Sequence, residues 1–94
     1  VTHWDIYGPA DLERDIAKSD GPAWDALRAL IEQLATTGAD RVGIPAGYPW
    51  PSTLRYAAIE DDSAVYGAAE WLIEHGDHRI ARILDVDWLP DVNA

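Results

Sequence analysis

The sequence predicts a small α+β domain laid out as a winged helix-turn-helix. Three observations predict it. An apolar face at helical spacing ends in a glycine and a proline-glycine loop. Two serine-capped segments follow, a few residues apart. An alternating segment then closes the chain as a strand. Helix, loop, two capped helices and strand, in that order, give the layout.

Each element follows from local chemistry. Residues 2–7 alternate loosely and read as a short strand, punctuated by Gly8 and Pro9. Residues 11–18 read as a short helix, with acids early and Lys18 late. Asp20 and Pro22 suit the start of a second helix. Along it Trp24, Leu27, Leu30, Ile31 and Leu34 share one face, and Gly38 stops it. Residues 42–44 read as extended. Residues 45–51 hold three prolines and a glycine, which forces a rigid loop. Ser52 caps a helix over 52–60, with Leu54, Ala57 and Ala58 inward. Asp61 and Asp62 interrupt. Ser63 caps a helix over 64–75, where Val65, Ala68, Ala69, Leu72 and Ile73 keep helical spacing and Gly76 follows; a strand is the competing reading of this stretch, but its length and its two ends favour helix. Residues 78–88 alternate, as a half-buried strand or a tight hairpin does. Ile80, Arg82, Leu84, Val86 and Trp88 point one way, and Arg79, Ala81, Ile83, Asp85 and Asp87 the other. The expected organisation is one small domain over 1–94, with a winged-helix-like core at 20–88 and an N-terminal extension at 1–19.

Composition bounds the function. Apolar residues make up 48% and charged residues 26%, which is globular rather than disordered. No apolar run reaches the roughly 18 residues of a membrane span, and no basic segment leads into an apolar one as in a secretory signal. A cytoplasmic location and no membrane partner are therefore expected. With no cysteine there is neither a disulfide framework nor a thiolate metal site. Seventeen acids oppose seven bases, for a net charge of −10. Such a chain repels nucleic acid at long range and attracts cationic partners. The charge is uneven: −5 over residues 1–40, +1 over 41–60 and −6 over 61–94.

The residues from 24 to about 82 resemble the DNA-binding domain of GntR-family regulators. Trp24, Leu27, Ile31 and Gly38 sit at the spacings of that family's first helix. Pro45, Gly47, Pro51 and Ser52 keep the order of its loop and second cap. Ala57 or Ala58 stands for its buried alanine, and Ser63, Val65, Ala69, Leu72 and Gly76 for the recognition helix. The resemblance implies a winged helix that binds duplex DNA as a small transcriptional regulator without an effector domain, possible also as a homodimer. It implies phosphate contacts from Ser52, Thr53 and Arg55, groove contacts from Ser63 and Tyr66, and wing contacts from Arg79 and Arg82. The chain departs from the family in its charge. The would-be recognition helix has no lysine or arginine and carries Glu70 and Glu74. Few bases near phosphates mean weak, salt-sensitive binding.

That departure supports a second reading from a different class. An acidic protein-binding inhibitor or nucleic-acid mimic, of the anti-restriction or anti-CRISPR kind, occupies a basic surface on a partner protein. Asp61, Asp62, Glu70, Glu74 and Asp77 would carry it. Among the five tryptophans, Trp4 and Trp50 are the candidate anchors, with the core as their default place.

No enzyme, cofactor or metal is expected. His75 and His78 flank a turn instead of sharing a helical face, with Asp85 and Asp87 downstream. Paired acids such as Asp85 and Asp87 arise by chance among twelve aspartates. No phosphate-cradling glycine loop is present. The rival architecture is a ferredoxin-like β-α-β-β-α-β sandwich, with strands at 2–7, 41–45, 53–59 and 79–87 and helices at 11–37 and 63–75. A toxin-like ribonuclease sheet is a further possibility, whose chemistry needs bases that this chain lacks.

Overall fold

The computed structural model describes residues 3–75 and 77–90. The elements are β1 (Asp5–Tyr7), α1 (Ala10–Lys18), α2 (Pro22–Gln33) with a wide π-type turn (Leu34–Gly38), β2 (Ile44–Pro45), β3 (Leu54–Glu60), β4 (Val65–His75) and β5 (Ile80–Trp88). The five strands form one sheet in the order β1-β5-β4-β3-β2. The chain starts at one edge, crosses through the helices to the other edge, and meanders back. β1 therefore lies parallel to β5, and every other pair is antiparallel.

This architecture overturns the winged helix. Residues 64–75, expected as the recognition helix, are the central strand β4, and residues 54–60, expected as its partner helix, are β3. With two α-helices in the described residues, the helix-turn-helix is absent. The sheet under one helical layer lies closer to the sandwich alternative, and departs from it at 63–75, which is strand. Residues 5–18 supply β1 and α1 to the same sheet and helical layer.

The physical reason lies in β4. Its apolar residues fall on both faces because a central strand is covered on one side and half-covered on the other. Gly67, Ala69, Trp71 and Ile73 turn toward the helices, while Ala68, Glu70 and Leu72 turn away. The two sets together mimic a helical period. β-Branched and aromatic residues favour strand here, and Gly67 weakens any helix. A Cβ on Gly67 would come within 2.1 Å of the Asp87 carbonyl oxygen, so the close approach of β4 and β5 requires glycine there.

The core lies between the helices and one sheet face. Leu27, Leu30 and Leu34 from the helical layer meet Ile59, Ala69, Trp71, Ala81 and Ile83 from the sheet. Trp24 packs on Trp88 with ring centroids 5.0 Å apart. Trp4, a candidate partner anchor, is buried in this core instead, with its backbone N–H donating to the Ala35 carbonyl. Arg28 ties the helices together by donating to the Ile16 and Ser19 carbonyls.

Trp71 is fully buried, and its indole N–H donates to the Ala39 carbonyl at 2.9 Å. Trp71→Ala should cost about 3–5 kcal/mol in urea unfolding. Gly67→Val should destabilise comparably, by forcing β4 and β5 apart, while an exposed-site control such as Lys18→Gln should change little.

Candidate functional site

The helices cover one sheet face and leave the other open. A β-bulge decides what the open face carries. Trp71 pairs with Ile83, and Glu70 pairs with Asp85, so Leu84 is the extra residue between them. Before the bulge Ala81 and Ile83 face the core; after it Val86 and Trp88 do. The uninterrupted alternation expected for β5 is therefore corrected, because the bulge shifts its phase. Asp85 and Asp87 consequently point to the open face instead of following Ile83 inward.

There they meet Glu70. One carboxylate oxygen from each of Glu70, Asp85 and Asp87 can be chosen so that all lie within 4.8 Å of one another. Glu70 is half-buried and the two aspartates are exposed. Among the described residues, none of the three has a cation partner. Around them the same face exposes Tyr56 opposite Glu70, Leu84, and Ile44 opposite Tyr56. The loop joining β2 to β3 exposes Tyr48 and Trp50, the latter to 60%. Trp50 thus keeps the anchor role open that Trp4 has lost.

The three carboxylates are oxygen donors of the kind that calcium collects, mono- or bidentate, toward its roughly six to eight ligands. The histidines do not join them. His75 and His78 rest edge to face at the far end of β4, with centroids 6.0 Å apart.

The residues assigned to DNA do not form one surface. Ser52 and Thr53 lie in the turn before β3, while Ser63 lies in the turn after it and Tyr66 near the start of β4. The length of β3 separates these groups by roughly 20 Å. Arg55 donates to the Val42 and Gly43 carbonyls at 3.1 and 2.9 Å, anchoring the edge. Arg82 pairs with Glu74 and lies over the Tyr7 ring at 5.7 Å. Arg79 sits in a turn with φ 55°, and its carbonyl accepts from Asp5 N–H.

The five acids assigned to a partner surface are likewise dispersed, along β4 and beyond its two ends. Glu70 belongs to the carboxylate cluster and Glu74 is paired. Asp77 lies in the turn beside His78. Asp61 organises the β3–β4 turn by accepting from Ser63 N–H, Ala64 N–H and the Tyr66 hydroxyl. Asp62 is exposed beside it. Sequence reasoning missed the union of Glu70 with Asp85 and Asp87. The period-two spacing of the aspartates was the available signal, but the bulge hides their common face with Glu70.

The Tyr66 hydroxyl, then the Ser63 N–H, hold the Asp61 carboxyl below the usual carboxylate range. The same bond holds the Tyr66 phenol above its ordinary value. A lowered folded value means that Asp61 stabilises the fold above the ordinary carboxylate range, and that this is lost as pH falls through the lowered value. Asp61→Ala should therefore lower the thermal midpoint near neutral pH. Its curve should converge with wild type toward about pH 2, read by thermal unfolding across that range.

No protein-family model, no curated protein and no solved structure matches this chain.

Proposed function

We propose that this chain is an acidic protein-binding module whose open sheet face occupies a basic surface on a partner protein. One observation carries the reading. Glu70 and Asp85 stand directly opposite each other on neighbouring strands, with Asp87 beside them and no ion-pair partner for any of the three among the described residues. Like charges in that position cost stability. A cost held in the middle of an open face, with exposed aromatics around it, fits a surface kept for binding.

The chemistry of such a contact is direct. A net charge of −10 steers cationic partners toward the chain. Closely spaced carboxylates accept the bidentate N–H fork of arginine. Tyr56 and Trp50 supply rigid aromatic area of the kind that anchors interfaces. Duplex DNA is disfavoured by the same features. The recognition helix is a strand, and Arg55 and Arg82 are occupied within the fold. RNA meets the same carboxylates, which opposes the ribonuclease chemistry of a toxin-like sheet.

The test is the triple variant Glu70→Gln, Asp85→Asn, Asp87→Asn, with an arginine-rich peptide and a mixed-sequence duplex as probes. Wild type should bind the peptide, weaken with salt, and leave the duplex unbound at low salt. The triple variant should bind the peptide about tenfold more weakly, yet melt a few degrees higher. Salt-sensitive duplex binding, or unchanged peptide affinity in the variant, would overturn the proposal.

A further inference from the structure

β2 spans only Ile44–Pro45, whereas β3 runs to Glu60. The outer edge of β3 is therefore covered along its first half only. Ladder parity identifies the backbone groups left over. Ile73 N–H donates to the Thr53 carbonyl on the β4 side, and Ala46 N–H donates to the Leu54 carbonyl on the β2 side. Odd-numbered residues of β3 thus bond toward β4, and even-numbered ones outward. Leu54 and Tyr56 meet the β2 segment; among the described residues Ala58 and Glu60 have no strand beside them. Gly43 is the reason. At φ +71° it turns the chain away, and a Cβ there would come within 2.3 Å of the Tyr56 carbonyl oxygen.

Beside the uncovered edge lies a groove of about 590 Å³ between α2, the 41–43 segment and β3. Ala29, Leu30 and Ala57 give it a wall of small and apolar side chains. Arg41 and Glu60 line it as well, and among the described residues neither has an ion-pair partner. The groove is on the helical side of the sheet, so a ligand there leaves the carboxylate face free.

We infer that an extended peptide segment of a partner protein adds to the sheet here as a sixth strand along Ala58 and Glu60. Free ladder positions on alternate residues call for extended backbone. The small-residue wall admits an apolar side chain. Arg41 and Glu60 call for one acidic and one basic residue on the incoming segment. A second copy of this chain fits less well. It would bring two chains of net charge −10 together, with the Glu60-Asp61-Asp62 run of each at the contact.

Short random peptides displayed on phage and selected on the whole chain test this. Selected peptides should combine an apolar residue with one acidic and one basic residue. Ala58→Pro removes an outward N–H while leaving the ladder to β4 intact, so the variant should fold, as circular dichroism and thermal melting would show. It should bind the selected peptides about tenfold more weakly or less still. Arg41→Glu, an exposed change, should fold in any case and should select a basic residue where wild type selects an acidic one. Failure to enrich any peptide, or equal binding by wild type and both variants, would overturn the inference. Concentration-dependent self-association that Ala58→Pro abolishes would overturn it in favour of a second copy.

Discussion

The structure depends on the burial of Trp71 at the centre of β4. Its ring fills the space between sheet and helical layer, and its N–H reaches the Ala39 carbonyl at the end of the helical crossover. The ring also lies so close to Gly43 that a Cβ there would approach it to 2.8 Å. One side chain thereby fixes where the crossover ends, where β2 begins and which way β4 faces. A strand has a side-chain period of two, so Trp71 inward means Glu70 outward. Everything said of the open face follows from that phase.

The bulge at Leu84 complements it. Without the extra residue, Asp85 and Asp87 would follow Ile83 into the core, where unpaired carboxylates are costly. With it, Val86 and Trp88 complete the core while the aspartates join Glu70 outside. The irregularity thus serves packing and surface chemistry together, as bulges beside functional surfaces often do. The bases are spent differently. Arg28 and Arg55 hold helices and edge in place, and Arg82, on the open face, is paired with Glu74.

Much of the helical half is legible in the sequence. The face of Leu27, Leu30 and Leu34, the stop at Gly38 and the proline loop all stand where periodicity and turn chemistry put them. The strand at 78–88 is legible too, apart from its bulge, because alternation does not reveal a single inserted residue. β3 is legible as a strand only in the rival sandwich, and both architectures read β4 as helix. Ala57, Ala58, Ala68 and Ala69 suit helix and half-covered sheet alike, and Ser52 and Ser63 suit turns as well as caps. What decides between them is the pairing of β4 with two neighbours, a long-range condition that no local window contains. The carboxylate cluster shares that fate, since Glu70 and Asp85 meet only through the register.

The most direct test is therefore the register itself, read by nuclear magnetic resonance of the whole chain. The account predicts close Hα–Hα contacts between Tyr56 and Glu70 and between Ala58 and Ala68, the pairs that do not share ladder hydrogen bonds. Sequential helical contacts along 64–75, or a register displaced by one residue, would contradict it, and with it the acidic face and the free edge of β3.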